Sequence, residues 1–235
     1  MSQCIYEVFK RAKTQVVNGN IMIDDFCNDS YIGDYEKDKY YIPTHSLSDN
    51  KTLLFGKKIG ESDDKTESIA IIIESPHVDE FIAQPYLPAQ GVTGINLKGY
   101  LSRLFFELEN QGHLNKDKYK VLLVNSIQYQ CSLGYPTTKY RDRMWGIMWN
   151  DSKVKDDFKQ RIKDISPSII INLCTKSSES SSAKDRRTQV QKAVEEVNRD
   201  KRNVKFFIGN HPSSWGSERN RYIYCNKNSN QSIRF

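Results

Sequence analysis

Four short apolar runs constrain this chain more than any other feature. Ser68–Ile73 reads Ser-Ile-Ala-Ile-Ile-Ile, and Tyr119–Val124 ends in Val-Leu-Leu-Val. Ser168–Leu173 carries Ile-Ile-Ile, and Val204–Ile208 carries Phe-Phe-Ile. Runs this short and this continuous read as strands buried on both faces, the usual state in a parallel sheet covered by helices. Helical spacing fills the gaps between them. Leu97, Leu101, Leu104, Phe105 and Leu108 recur along Asn96–Asn110, and Met144–Trp149 begins a further helix. Val154–Ile165 continues helically and stops before Pro167, as helices do. Thr188–Asp200 reads as a helix exposing Lys and Glu. Strands alternating with helices predict an α/β fold: a three-layer α/β/α sandwich on a mostly parallel, four-stranded central sheet.

The remaining stretches read as accessories to that core. Ile5, Val8, Phe9, Ala12 and Val16 share one face of an amphipathic helix over residues 3–17. Residues 18–66 are polar and tyrosine-rich, with one strand-like piece at Leu53–Phe55. Residues 1–66 are therefore expected to be a helical and irregular arm packing on an α/β domain at 67–235. Residues 129–143 and Ser177–Arg187 read as loops, Arg221–Tyr224 as an edge strand, and the last ten residues as loose.

Parallel topology carries the carboxyl ends of all four strands to one edge, where open α/β proteins place their sites. Four polar clusters follow the runs: Glu74/Ser75/His77, Asn125/Ser126, Thr175/Lys176 and His211/Ser213. The last belongs to Gly209-Asn210-His211-Pro212-Ser213-Ser214-Trp215, where Pro212 stops the strand and stiffens the loop holding the imidazole. An amide such as Asn125 offers a donor and an acceptor that suit a pyrimidine edge. A neutral imidazole donates to an oxyanion, as on a base leaving with negative charge. The same residues also read as a turn Asn and a capping His.

Motifs narrow the chemistry by absence. Neither GxGxxG nor GxxxxGK[ST] follows a strand, which disfavours a nucleotide cofactor. No HExxH or Cys/His cluster predicts a metal, and no GxSxG elbow supports a hydrolase triad. No cofactor and no metal are expected. The formal charge of +6 fits an acidic partner, nucleic acid first. Cysteines 4, 27, 131, 174 and 225 form no CxxC pair and read as reduced thiols. Residues 1–17 show no secretory apolar core, and no run nears the about 20 apolar residues of a membrane span. A cytoplasmic monomer that does not engage membranes is expected.

The order of these residues resembles the uracil-DNA glycosylase superfamily over residues 68–216. Glu74-Ser75-Pro76-His77 stands where that family has its water-activating loop, with Pro76 at the family's Pro. Val121–Asn125 is similar to the family strand whose Asn reads the base. Ile169–Cys174, after Pro167, is similar to its segment of Pro, apolar run and Gly, and His211-Pro212-Ser213 to its second motif. The resemblance implies a DNA glycosylase that flips a base and hydrolyses its N-glycosidic bond in single- or double-stranded DNA. Catalysis would fall to His211, Glu74 and Ser75. Base binding would fall to Asn125, His77, Phe81 and Tyr86. DNA contacts would come from Ser213, Ser214, Ser126, Lys176, Arg141 and Arg143, with Trp215 as the wedge that fills the vacated stack.

The chain departs from the family at several of these positions. Ser75 stands where members carry Asp, Asn or Ala, and Ser is a poor general base; Glu74 is the nearest carboxylate. His77 replaces the Tyr or Gly after the family's Pro, and Cys131 lacks the partners of an iron–sulfur set. These changes point to a modified pyrimidine, such as one in phage DNA, and to a repair or anti-phage role. A catalytically silent binding module of the same fold, or a nucleoside N-glycosidase, are the competing readings.

Overall fold

A computed structural model describes residues 5, 7–12, 67–77, 80, 89, 91–116, 119–131, 138–176, 185–201, 203–225 and 228–235. The expectations for residues 18–66, for Phe81 and Tyr86, and for most of the 177–187 loop lie outside the described residues. The chain follows the order α1 (residues 7–12), β1 (Ser68–Ile73), α2 (Val92–Asn110), β2 (Lys120–Asn125), α3 (Thr138–Asn150), α4 (Ser152–Ile165), β3 (Ile169–Asn172), α5 (Arg186–Val197), β4 (Lys205–Gly209), β5 (Tyr222–Cys225) and β6 (Asn228–Arg234).

The four apolar runs become β1 to β4, paired in parallel, with Ile73 opposite Asn125 and Ile72 opposite Asn172. Among the described residues the sheet has six strands rather than four, in the order β2-β1-β3-β4-β5-β6. β5 is not an edge, because β6 pairs with it antiparallel. From residue 228 onward the C-terminal stretch is thus not loose: Ile233 and Phe235, on either side of exposed Arg234, are buried. The polar Asn and Ser residues of 228–232 hide that strand from a reading based on hydrophobic runs.

Each sheet face carries its own core. Ala70, Ile72, Leu122, Val124 and Ile170 meet Trp145, Trp149, Phe158 and Val190 of α3 to α5, together with Ile5, Val8, Phe9 and Ala12 at the N-terminus. Phe9 stacks on Tyr129 with ring centres 5.0 Å apart. Ile69, Ile71, Val121, Leu123, Ile171 and Phe207 meet the leucines of α2, Trp215 and Phe235 on the opposite face. The alternation of odd and even residues between the two cores is the period of two that a strand buried on both sides requires.

Several helix starts differ from the sequence expectation. α3 begins at Thr138, so Arg141 and Arg143 lie on a helix and not in a loop. Its first turns are charged and lack an apolar period until Met144 and Trp145, which concealed the start. α2 begins four residues earlier than expected, at Val92, and α5 two residues earlier, at Arg186.

The strand order sets where a site can form. The connection leaving β1 builds α2 on one face, and the connection leaving β3 builds α5 on the other. β1 and β3 are neighbours, so the connections leaving their carboxyl ends part to opposite faces, which makes this the topological switch point where α/β sheets bind ligands.

Candidate active site

Glu74 is the first residue past β1, at the switch point, and its side chain is 5% exposed. Both carboxylate oxygens are engaged. Oε1 accepts the Thr175 backbone N–H at 2.7 Å, across from the end of β3, and lies 3.5 Å from Arg186 Nε on α5. Oε2 lies 3.2 Å from His211 Nε2, just past β4. Three strand ends and one helix thus converge on a single carboxylate. Gly209, two residues before His211, leaves room for the neighbouring strand ends, since a Cβ there would fall 2.6 Å from Ile223 Cγ2 and 2.9 Å from Leu173 Cδ2.

His211 is held on its other side by Ser213, whose backbone N–H donates to Nδ1 at 3.3 Å and whose Oγ lies at 2.8 Å. With Nδ1 accepting, the proton of the neutral ring sits on Nε2 and points at Glu74. Burial is the largest influence on the imidazole and lowers its pKa; Glu74 opposes it, and Arg141, Arg186 and Arg187 reinforce it. Burial is also the largest influence on the Glu74 carboxyl and raises it, but His211, the Thr175 amide, Arg141 and Arg186 together carry the pKa below its usual value. At neutral pH the pair is therefore a carboxylate and a neutral imidazole. Arg186, its side chain 3% exposed, also pairs with Asp142, which binds Arg141 at 3.1 Å.

The other expected residues divide. Asn125 ends β2 fully buried, and its carbonyl accepts from Arg161 at 2.8 Å. Ser75 and His77 are half-buried on the turn after β1; Ser75 hydrogen-bonds the Cys131 thiol, which burial pushes to about 12. The His77 amide donates to Glu80 at 2.8 Å. Ser213, Lys176 and Arg143 are exposed, Arg141 partly so, and Ser214 Oγ donates to the His211 carbonyl at 2.8 Å.

Two expected DNA contacts are corrected. Ser126 is fully buried, donating to the Glu74 carbonyl at 2.6 Å and accepting from Trp145 at 3.0 Å, so it braces the fold. Trp215 is not a free wedge. Its indole is fully buried, donates to the Asn210 carbonyl at 2.9 Å and meets Phe235 edge-on at 4.9 Å. Trp215→Ala is accordingly expected to destabilise the protein by about 3–5 kcal/mol, read by urea denaturation. A wedge would instead show weaker DNA binding at unchanged stability.

Two buried arginines escaped the sequence reading. Arg161, 5% exposed, grips the carbonyls of Asn125 and Ser126 at 2.8 and 3.1 Å and fixes the end of β2. Its signal was its place between Phe158 and Ile162 on the apolar face of α4. Arg186 had no periodic signal.

A cavity of about 610 Å³ opens elsewhere, lined by Glu67, Tyr119, Ser168, Val204 and Lys205. Those residues precede or begin the strands, so it lies at the amino end of the sheet, away from the Glu74–His211 pair. Among the described residues no cluster of His, Cys, Asp and Glu suits a metal ion, and no helix is long and apolar enough to cross a membrane. No family model, curated protein or solved structure matches the chain.

Proposed function

We propose that this protein is a divergent DNA glycosylase of the uracil-DNA glycosylase superfamily, in the three-layer α/β/α form, acting as a cytoplasmic monomer. It flips a non-standard pyrimidine out of DNA and hydrolyses its N-glycosidic bond, in repair or in defence against phage DNA. The buried Glu74–His211 pair at the switch point carries the reading, with Asn125 on the adjoining strand end.

Base flipping brings the pyrimidine to the switch point, where Asn125 and His77 meet its edge. The C1′–N bond breaks and its electron pair stays on the base. His211 Nε2–H turns from Glu74 to the developing negative charge on the base oxygen. Glu74, released from that hydrogen bond, faces the electron-poor C1′ and accepts a proton from the attacking water. The water oxygen bonds C1′, and the base leaves after taking up that proton. Ser213, Ser214, Lys176, Arg141 and Arg143 hold phosphates.

The test is base release from duplexes and single strands holding uracil, thymine mismatches, 5-substituted cytosines or natural phage DNA, with abasic sites revealed by alkaline cleavage. Abasic sites at one base type are expected, with turnover. One observation favours the silent binding module: Glu74 already accepts at both oxygens, and Ser75 is tied to Cys131. Stoichiometric binding to one substrate without abasic sites would establish that alternative.

A further inference from the structure

Gln128 has a buried carboxamide that the fold does not use. Its side chain lies in the loop after β2, the residue is 4% exposed, and neither Nε2 nor Oε1 has a hydrogen-bond partner among the described residues. Stripping water from both ends of an amide without replacing its bonds is unfavourable, and folds rarely keep such a group without a use for it. The loop's position indicates the use. The Ile127 amide donates to the Glu74 carbonyl at 2.9 Å, and Cys131 hydrogen-bonds Ser75, so the stretch around Gln128 is pinned on both sides to the turn that carries Glu74. Ile127, Tyr129 and Cys131 enter the core beneath α3, and Gln128 lies between the first two of them.

We infer that Gln128 is a specificity-determining residue whose carboxamide pairs, donor to acceptor and acceptor to donor, with one edge of the heterocycle received at the switch point. This deepens the glycosylase reading and rests on it. The ligand class is a planar nitrogen heterocycle with a donor and an acceptor side by side: the imide edge of a uracil type or the amino–imine edge of a cytosine type. The pairing supplies both missing hydrogen bonds in the bound state only. Such a site rejects analogues that lack the matching group far more strongly than an apolar pocket does, because a mismatch leaves the amide unpaired again.

The test uses the full chain with Gln128→Met, close in length and flexible, and Gln128→Glu, which keeps only acceptors when ionised. Thermal midpoints are measured alone and with 10 mM (about the millimolar range expected of a fragment-sized ligand) uracil, thymine, cytosine or 5-hydroxymethylcytosine, beside the base-release panel. Gln128→Met is expected to raise the ligand-free midpoint, to lose the midpoint shift given by the preferred base, and to lower kcat/KM for that base at least about tenfold. Gln128→Glu is expected to weaken the response to every base, since an ionised Glu meets the donor of either edge but sets a second acceptor against its acceptor. A lowered ligand-free midpoint in Gln128→Met, or midpoint shifts with the four bases that neither variant changes, overturns the inference. A base shift that Gln128→Met loses, in a protein that forms no abasic sites, upholds Gln128 and rejects the glycosylase. A wild-type protein that neither binds nor releases any of these bases rejects both.

Discussion

Glu74→Ala is expected to lose base release and to lower the melting temperature by on the order of 10 °C. The carboxylate joins the ends of β1, β3 and β4, and three partners depend on it. Its removal leaves the Thr175 amide without its acceptor and the His211 Nε2–H without its own. It also leaves Arg186, its side chain 3% exposed, with Asp142 alone, and the Asp142 side chain is 42% exposed. Breaking a buried ion pair from one side costs about 3–5 kcal/mol, because the surviving charge stays out of water. At about 2–4 °C per kcal/mol for a chain of this size, the shift follows. Glu74→Gln keeps an oxygen for Thr175 and is expected to lose less stability while losing the same activity.

The same carboxylate links stability to pH. Its folded-state pKa lies below the usual 4.5, so the stability it contributes is complete above that value. That contribution is lost as pH falls through the lower folded-state pKa. His211 acts in the same direction for a different reason. Its folded-state pKa lies below 6.5, so the unfolded chain takes up this proton first and stability declines as pH drops from 6.5 towards the folded value. Denaturation midpoints from pH 7 to pH 4 should fall at least as steeply in Glu74→Ala as in the wild type, because Glu74 is the group that raises the His211 pKa against burial, and less steeply in His211→Ala, which removes that proton uptake. Equal slopes in His211→Ala and the wild type, or an unchanged melting temperature of Glu74→Ala at pH 7, would show that the pair does not hold the strand ends together.

Several parts of this architecture were legible in the sequence because burial on both faces writes an unbroken apolar run. Ser68–Ile73 was bounded correctly to the residue, and the other three parallel strands to within a residue or two at each end. The switch point was legible only as a convergence of polar strand ends. Strand order was not, since nothing in β1, β2 or β3 records which neighbour each will take, and the placing of Glu74 between β1 and β3 depends on that order. Trp215 shows a second limit. A large aromatic on a polar loop has the same sequence whether it points outward or folds under, and here the Asn210 carbonyl and Phe235, just past β6, hold it in its buried place. β6 was itself hidden by its polar residues. Arg161 and Arg186 mark the third limit: buried cations satisfied by backbone carbonyls and carboxylates look like surface residues until those acceptors are placed.

His211→Ala should separate chemistry from stability in a way that Glu74→Ala cannot. The imidazole side chain is 16% exposed, and Glu74 keeps Thr175 and Arg186 when the ring is gone. The stability change is therefore expected to stay within about 1 kcal/mol, the net worth of one hydrogen bond. Base release is expected to fall by about 10²–10³-fold, as when a preorganised donor to a developing oxyanion is deleted. The pH profile supplies the diagnostic. In the wild type the neutral imidazole holds the donor proton on Nε2, and protonation would lock an imidazolium onto Glu74 and occupy the water-activating carboxylate. Activity should hold from pH 8 down to about 6.5 and decline only below it, because burial keeps the ring's pKa under the ordinary histidine value. The residual activity of His211→Ala should lose that limb and decline only where Glu74 itself takes up a proton, at a higher pH than in the wild type because His211 no longer helps hold the buried carboxylate ionised. An acid limb unchanged by His211→Ala would assign it to another group, and a full rate in that variant would move the chemistry away from this pair altogether.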